Sequence, residues 1–340
     1  MRWAFAARAS RWIAPTLVAL LAIVSTVAAE NASLARWFPH LLRFDSDFSP
    51  TYLQRELAYV RERPPQTIFL GDSVVWGYRL PPAANAVSLL ESHGCACANF
   101  ALKAGSPPNY YVLAKLLVAQ GIRPRLVVIE INQKAFNAAD DTYQTLDPGI
   151  AGLAAPLLSA EDRAMLRGVP SDDGLRARVD RDLDSLSLVY AMRADIRATL
   201  YGDVDTVVVP HPTADILEGT YDLSPLTEGN VGVRYLERTL DTLRAAGISV
   251  LAFMTPTNHA LMHDYIDAPQ YRANVDYLAR LARSHGARVV DWDRAFPGEY
   301  FFDNAHLRAD GQRRLAAMLA ATLGAAAGPV ALPGAPMSAR

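Results

Sequence analysis

Residues 67–77 read TIFLGDSVVWG, and this stretch decides the predicted fold. Four apolar or β-branched residues run into Gly71 and Asp72, and a short run of this kind closed by turn residues is typical of a buried strand. The turn presents Ser73 at the carboxyl end of the strand, which is the edge where open α/β sheets bind their ligands. Amides that follow such a turn can face a bound anion. Ser73 is therefore a candidate nucleophile.

A nucleophilic serine needs a base, and residues 302–307, which read FDNAHL, offer one. Asp303 and His306 are three residues apart, so one turn can place imidazole and carboxylate beside Ser73. His259 competes as the base, because it follows the strand predicted at 248–253 and lies at the same edge. His306 is preferred, since it alone has a carboxylate at triad-like spacing. Asn258 and His259 are then candidate substrate contacts.

Strand and helix patterns alternate along the chain, which predicts a three-layer α/β sandwich around a parallel, doubly wound sheet of about five strands. The predicted strands cover residues 67–70, 96–100, 126–132, 248–253 and 288–292. The predicted helices cover residues 51–61, 86–91, 110–120, 231–245, 271–285 and 308–323. Residues 138–226 break this alternation. They contain a helix start at 159–162 that resembles a capping box, a helical pattern at about 175–200 and an extended segment at 207–212. We interpret the whole as a helical insertion over the carboxyl edge of the sheet, where insertions usually set substrate choice.

The Gly-Asp-Ser block after the first strand and the Asp-x-x-His pair before the last helix resemble the SGNH (GDSL) hydrolase superfamily. The resemblance covers about residues 65–325. It implies a catalytic set of Ser73, Asp303 and His306, and an oxyanion hole formed by the amides of Ser73 and Gly105 with the side chain of Asn132. Gly105 also fits an ordinary turn glycine, and Asn132 also fits a strand-end cap.

The residues around Asn132 depart from the Gly-x-Asn-Asp form that is most familiar in this superfamily. The chain has Glu130-Ile131-Asn132-Gln133, which is similar to the branch associated with envelope acyltransferases. A buried salt-bridge partner is the structural alternative for Glu130. Asp72, in the Gly-Asp-Ser block, is a supporting residue of the expected site.

The N-terminus carries an export pattern. Arg2, Arg8 and Arg11 precede residues 12–29, which contain no charge and are just long enough to span a bilayer. This pattern leaves open an uncleaved inner-membrane anchor, which we favour, or a signal peptide cleaved after the small residues 27–29. Residues 31–50 are then a connector, residues 51–325 one domain, and residues 326–340 a disordered tail.

Composition narrows the classes of partner. The formal net charge of −2 argues against binding a polyanion such as nucleic acid. No cluster of metal ligands or glycine-rich phosphate loop is present, so no metal or cofactor is implied. Cys95 and Cys97 are the two cysteines, and since a bridge across one residue is strained, we expect them to be small core residues.

The expected function is that of an exported serine enzyme acting on acyl esters. The resemblance implies O-acetyl transfer to, or O-acetyl ester hydrolysis on, cell-envelope or secreted polysaccharide, with a multipass membrane acyltransferase as a possible partner that supplies the acyl group. A lipase-like or thioesterase-like hydrolase remains open, because the insertion at 138–226 can also shape an apolar pocket. A different class also remains open, namely a non-catalytic, anchored protein that binds glycan or assists assembly.

Overall fold

A computed structural model of the 340-residue chain describes residues 2–37, 50–138, 141–146, 148–166, 179, 183, 186–191, 221 and 223–327. The chain divides into two compact units. The smaller consists of Met1–Glu56 with Ser171–Gly202, and the larger of Leu57–Pro170 with Asp203–Arg340. The sheet and the expected catalytic residues belong to the larger unit.

The strands and helices follow one another in βα alternation through the larger unit. The strands are β1 Thr67–Leu70, β2 Cys97–Asn99, β3 Leu126–Ile131, β4 Ser249–Met254 and β5 Arg288–Asp291. The described α-helices are α1 Arg2–Trp37, α2 Pro50–Glu62, α3 Ser73–Trp76, α4 Ala86–Ser92, α5 Pro107–Ala119, α6 Pro148–Ala154, α7 Ala160–Met165, α8 Leu188–Ala191, α9 Val231–Ala245, α10 His259–Ile266, α11 Pro269–Ser284 and α12 Ala309–Ala327.

All five strands are parallel and lie in the order β2-β1-β3-β4-β5. Ile68 of β1 lies opposite Ala98 of β2 on one side and Val127 of β3 on the other. The predicted parallel sheet of about five strands is confirmed, with β3 at its centre. Because the chain places β2 and β3 on opposite sides of β1, the strand order reverses there, and such a switch point opens a crevice at the carboxyl ends of the strands.

Helices cover the sheet on both faces. On one face, Phe69, Val128 and Phe253 pack in an apolar cluster with residues of α4 and α12. On the other, α5, α9 and α11 pack together, and α9 and α11 also contact the sheet. Burial on both faces explains why the strands read as continuous apolar runs rather than as alternating ones. The architecture is a three-layer α/β sandwich.

The smaller unit is dominated by α1. Its segment Pro15–Ser33 is long and apolar enough to cross a membrane by length and composition, although a signal sequence has the same character. The helix includes the predicted segment at 12–29 and continues to Trp37, into the predicted connector. Within this unit, Asn31 Nδ2 donates a hydrogen bond of 2.9 Å to the carbonyl of Leu186.

Several local expectations differ from the structure. Helix α5 begins at Pro107, three residues before the predicted start, because Pro fits the first turn of a helix, where no amide donor is needed. Helix α12 continues to Ala327, so residues 326 and 327 are helical rather than part of a tail. Cys95 and Cys97 are joined in a disulfide, contrary to the expectation that they are unpaired core residues.

The insertion is described in part. Helices α6 and α7 lie at its start, and Ser159 and Asp162 form the predicted capping box at the beginning of α7. The helical pattern predicted at about 175–200 is described only at residues 179, 183 and 186–191, which are mostly helical. The extended segment predicted at 207–212, and residues 328–340 of the expected tail, lie outside the described residues.

Candidate active site

The nucleophile turn follows directly from the end of β1. Asp72 has an extended backbone and caps α3, with its Oδ1 accepting a hydrogen bond of 2.8 Å from the Val74 amide. Ser73 is therefore the first residue of the helix, where backbone N–H groups have no intrahelical partner. Gly71 is required by space, because a Cβ there would lie 2.6 Å from Glu130 Oε2. The turn holds the Ser73 hydroxyl and amide at the same edge of the sheet.

The structure brings Ser73, His306 and Asp303 together in one chain of hydrogen bonds, although 230 residues separate the serine from the aspartate. Ser73 Oγ lies 2.8 Å from His306 Nε2, and His306 Nδ1 lies 2.7 Å from Asp303 Oδ2. Nucleophile, base and orienting carboxylate thus stand in the order that a catalytic triad needs. The imidazole can accept the hydroxyl proton at Nε2 while Asp303 holds the proton at Nδ1.

The catalytic loop itself fixes the Asp303 carboxylate. Its Oδ1 accepts hydrogen bonds from the amides of Ala305 at 3.0 Å and His306 at 2.8 Å. Burial alone would raise the pKa of Asp303, but the hydrogen bonds and charge of His306 and the two amides outweigh it and lower the pKa to about 2. The carboxylate is therefore ionised at neutral pH and favours the imidazole tautomer that carries its proton on Nδ1.

A second polar group, formed by Asp72, Glu130, Asn132 and Thr255, lies buried beneath the nucleophile. Glu130 Oε2 accepts from the Asp72 amide at 2.8 Å, and Oε1 accepts from Thr255 Oγ1 at 2.9 Å. Burial first, and then the Asp72 charge, raise the pKa of Glu130 well above its usual range. Glu130 therefore anchors the nucleophile turn, and among the residues described no cation forms the salt bridge that was the structural alternative.

The side chain of Asn132 is hydrogen-bonded to Asp72 of the nucleophile turn. Its Nδ2 donates one hydrogen bond of 2.8 Å to Asp72 Oδ2, and its Oδ1 accepts from the Lys134 amide at 3.3 Å. A side-chain amide carries two hydrogens, so a second donor remains for an acceptor outside this network. Asn132 is both the expected strand-end cap and a candidate oxyanion donor, while Asp72 supports it.

Gly105 corrects one expectation. Its amide donates a hydrogen bond of 3.0 Å to the carbonyl of Leu102, so in this structure the predicted oxyanion donor is engaged in its own turn. The reason for glycine is space: a Cβ at residue 105 would lie 2.3 Å from the carbonyl oxygen of Gly71. The preceding Ala104 takes a φ of 57°. Gly105 thus allows the second loop to approach the nucleophile turn.

Asn258 supports the catalytic loop rather than standing as a free contact group. Its Nδ2 donates to the carbonyl of Asp303 at 2.9 Å, and its amide donates to the carbonyl of Asn304 at 2.9 Å. Its Oδ1 accepts from the Leu261 amide and caps α10, a helix that the sequence did not predict. The competing base, His259, pairs through Nε2 with Asp293 Oδ2 at 2.9 Å, so the hydrogen bond of Ser73 goes to His306.

Sequence reasoning missed three residues around the triad. The ring of Tyr78 lies 4.4 Å from that of His306, centroid to centroid. Gln312 of α12, fully buried, donates to the carbonyl of Val74 at 2.7 Å and ties the last helix to the nucleophile turn. Lys134 is buried, and its amide donates a hydrogen bond of 3.3 Å to Asn132 Oδ1. The sequence offered a signal only for Lys134, a charged residue three positions after the end of β3.

The arrangement can activate a hydroxyl for attack on a carbonyl carbon, and the Ser73 amide and Asn132 are the candidate donors to the resulting oxyanion. Among the residues that the structure describes, no group of three or more His, Cys, Asp or Glu side chains is placed to hold a metal ion. The chemistry that this geometry supports is acyl transfer through serine.

No protein-family model matches the sequence, and no curated protein matches it significantly. Solved structures with a similar fold include a member of the lipolytic G-D-S-L family from Veillonella parvula, with 12% identity, 76% of this chain and 96% of that chain covered, and a TM-score of 0.38. The esterase EstA from Pseudoalteromonas has 11% identity, coverages of 78% and 100%, and a TM-score of 0.40. A GDSL-like lipase from Bacteroides thetaiotaomicron has 10% identity, coverages of 82% and 98%, and a TM-score of 0.42. At these values the similarities by themselves assign no activity to this chain.

Proposed function

We propose that this protein is an exported, serine-dependent enzyme that cleaves or transfers acyl groups held in ester linkage. The observation that carries the proposal is the hydrogen-bonded series of Ser73, His306 and Asp303, with distances of 2.8 and 2.7 Å. The resemblance of its two motifs to the SGNH hydrolase superfamily points in the same direction.

The reaction begins when Ser73 Oγ attacks the ester carbonyl carbon and its proton passes to His306 Nε2. The Ser73 amide and Asn132 Nδ2 hold the tetrahedral oxyanion, a contact whose loss typically lowers turnover by about 100- to 1,000-fold. Collapse breaks the ester C–O bond, and the leaving alkoxide takes the proton from His306. The acyl group is then bonded to Ser73 Oγ.

The second half of the reaction releases the acyl group. Water, or a sugar hydroxyl, attacks the acyl carbon while His306 accepts its proton, and that proton returns to Ser73 Oγ when the acyl-serine bond breaks. Attack by water completes hydrolysis, and attack by a sugar hydroxyl completes transfer. Both outcomes use the same residues, so the acceptor decides between esterase and acyltransferase.

The proposed substrate is an O-acetylated polysaccharide of the cell envelope or a secreted one. The Glu130-x-Asn132 form supports this choice through its resemblance to the envelope acyltransferase branch. Helix α1, with a segment apolar enough to cross a membrane, supports export and an inner-membrane anchor, and a disulfide at Cys95 and Cys97 suits an oxidising compartment. A multipass membrane acyltransferase is the proposed partner if the reaction is transfer.

The test is intact-mass analysis of the full-length protein in detergent after treatment with a fluorophosphonate, and separately with an acetyl ester. We expect a single adduct on the wild type and none on Ser73→Ala, because only a serine activated by a base reacts readily. The thermal melting of both proteins serves as the folding control. If the folded wild-type protein forms no adduct, the proposed enzymatic function is wrong, and the non-catalytic binding or assembly role remains.

A further inference from the structure

Two positively charged side chains lie around the aromatic ring that packs on the candidate base. The ring of Tyr78 lies 4.4 Å from that of His306, centroid to centroid. The guanidinium carbon of Arg79 lies 5.3 Å, and the ammonium nitrogen of Lys103 5.7 Å, from the centroid of the Tyr78 ring. We call Tyr78, Arg79 and Lys103 the Tyr78 cluster. One aromatic ring thus connects two cations with the imidazole of the triad.

The guanidinium of Arg79 has no polar partner among the residues that the structure describes. Its Nε is buried and makes no hydrogen bond. Buried polar atoms are nearly always hydrogen-bonded, so this atom requires an explanation. The contact with the Tyr78 ring attracts the positive charge but satisfies none of the five N–H donors. The two Nη atoms are not buried in this way, so they can bind an acceptor that comes from outside the chain.

The carboxylates of the candidate site do not serve as this acceptor. The oxygens of Asp72 accept hydrogen bonds from the Val74 amide and the Asn132 side chain. Those of Asp303 accept from the imidazole and from two amides of the catalytic loop. Neither carboxylate pairs with Arg79 within the described part of the chain. The charge of Arg79 is therefore not spent on the triad or on the network beneath it.

The loops that carry the two cations share an unusual backbone conformation. Arg79 has a φ of 62°, and Ala104, which directly follows Lys103, has a φ of 57°. Among the residues described, these are the non-glycine residues with a positive φ. A residue with a Cβ avoids this region, because the Cβ crowds the neighbouring carbonyl oxygen. Backbone strain of this kind persists where the surrounding structure enforces it, and it clusters at ligand-binding sites.

Both loops are hydrogen-bonded to the nucleophile turn. The Tyr78 amide donates to the carbonyl of Ser73 at 2.9 Å, and the Leu102 amide donates to the carbonyl of Gly71 at 3.0 Å. In the proposed reaction the leaving oxygen takes its proton from His306, so the alcohol portion of the ester lies beside the imidazole. Because the Tyr78 ring packs on that imidazole, the Tyr78 cluster lies next to the alcohol portion rather than the acyl group.

We propose that Arg79 and Lys103 bind an oxyanion on the alcohol portion of the substrate, and that the ester is therefore carried on an acidic sugar. This inference rests on the proposed function and names its substrate class. The planar guanidinium of arginine matches carboxylate and phosphate groups, because its N–H donors can bind two of their oxygens at once. A second cation over the same ring adds charge attraction, and the bound anion relieves the repulsion between the two positive charges.

The test compares three acetyl esters on the full-length protein in detergent. They are a methyl glucoside acetylated at one hydroxyl, the matching methyl glucuronoside, and the matching methyl glucoside phosphorylated at its primary hydroxyl. Both acids carry their charge at the same end of the sugar, so the preferred one identifies the oxyanion. We expect the wild type to favour an acidic ester over the neutral one in kcat/KM by about 10- to 100-fold, the range of a hydrogen-bonded charge contact. A ratio near one for both acids would overturn the proposal.

Variants assign this preference to the Tyr78 cluster. Arg79→Met keeps the length of the side chain but removes its donors and charge, and it should lower the preference by about 10-fold. Lys103→Met should lower the preference less, because Lys103 is exposed and its charge is screened; it is also the second variant if Arg79→Met does not fold. The matched control is Arg63→Met. Arg63 lies 5.2 Å from the Tyr59 ring but precedes β1, at the edge of the sheet opposite Ser73, and its loss should leave the preference unchanged.

A second measurement separates this inference from the proposed function. The sodium salts of the two acidic sugars, without the acetyl group, should raise the melting temperature of the wild type and slow fluorophosphonate labelling of Ser73. Methyl glucoside with an equal concentration of sodium chloride should do neither, and Arg79→Met should lose both effects. If Ser73 is not labelled at all, the proposed function fails, and the thermal shift alone decides whether the anion site exists. Labelling without discrimination between acidic and neutral sugars overturns the anion site alone.

The competing role for Arg79 is to position the Tyr78 ring and, through it, the imidazole of His306. In that case Arg79→Met would lower kcat on acidic and neutral esters in equal proportion, and the preference would stay at its wild-type value. We expect instead that the loss is concentrated in the KM for the acidic ester, and that Arg79→Lys, which keeps the charge, restores part of the preference. An equal loss on acidic and neutral esters would overturn the proposal.

Discussion

The sharpest prediction concerns the carboxylate that orients the base. Asp303→Asn keeps an oxygen that can accept the two amides of Ala305 and His306, which now bond to Oδ1 at 3.0 and 2.8 Å. It replaces Oδ2, which lies 2.7 Å from His306 Nδ1, with an amide that donates. The imidazole must then accept at Nδ1 and carry its proton on Nε2, where it cannot take the proton of Ser73.

The expected loss follows from this change of tautomer. The same substitution in a Ser-His-Asp triad lowers kcat by about 10⁴-fold, which corresponds to roughly 5 kcal/mol of activation free energy. Because the loop keeps its two backbone hydrogen bonds, we expect the protein to remain folded. The main effect should therefore appear in kcat, while the loss of roughly 2 kcal/mol of stability lowers the melting temperature without unfolding the protein at the assay temperature.

The assay is the steady-state hydrolysis of p-nitrophenyl acetate, with the melting temperature measured for each variant. The matched control is Asp293→Asn, which makes the same change in the second His–Asp pair, where Asp293 Oδ2 lies 2.9 Å from His259 Nε2. We expect kcat of this control to fall by less than about 10-fold. An equal or larger loss in Asp293→Asn would show that His259 is the base and refute the assignment of His306.

Three further predictions test the support of the site. Asn258→Ala removes the hydrogen bond to the Asp303 carbonyl. As expected for a positioning residue, it should lower kcat by about 10-fold or more while the KM for p-nitrophenyl acetate changes little. A change in KM alone would contradict that role. Gly105→Ala places a Cβ 2.3 Å from the Gly71 carbonyl oxygen and should lower the melting temperature. The control Gly152→Ala has open space around its Cβ and should raise the melting temperature slightly. Equal melting temperatures of the two variants would refute the close approach of residue 105 to Gly71. The pKa of Asp303 is lowered from 3.8 to about 2, so this carboxyl binds fewer protons in the folded than in the unfolded chain. Its contribution of roughly 2 kcal/mol to the free energy of unfolding is therefore present above about pH 4 and is lost as the pH falls toward 2. In urea unfolding, the difference in unfolding free energy between the wild type and Asp303→Asn should shrink as the pH is lowered from about 6 to about 3. A difference that grows on acidification would contradict the lowered pKa of Asp303.

Local sequence patterns predicted much of the secondary structure. The strand at Thr67–Leu70 has its predicted bounds, and the helix at Val231–Ala245 does as well. Both are closed by strong local signals, an apolar run with a turn in one case and a 3.6-residue period ended by glycine in the other. Elements of this kind depend on the burial of their own residues, so their pattern survives in the sequence.

Helix α10 shows where local reasoning fails. Asn258 was interpreted as part of a substrate-facing turn, but it caps a helix of eight residues and holds the catalytic loop through the Asp303 carbonyl. The sequence showed a polar residue at the carboxyl edge of the sheet, directly after the loop that follows β4. Its partner, 45 residues further along the chain, was not visible to any local pattern.

The sequence alone identified Ser73 as the candidate nucleophile and His306 as the candidate base, because nucleophile turns and Asp-x-x-His spacing are short-range features. Only the tertiary structure decided that His306, rather than His259, meets Ser73, and that residue 105 lies against the carbonyl oxygen of Gly71. These outcomes depend on hydrogen bonds and burial between strands far apart in the chain. The free energy of a charge or an amide is set by the groups around it in space, and one-dimensional spacing does not encode those neighbours.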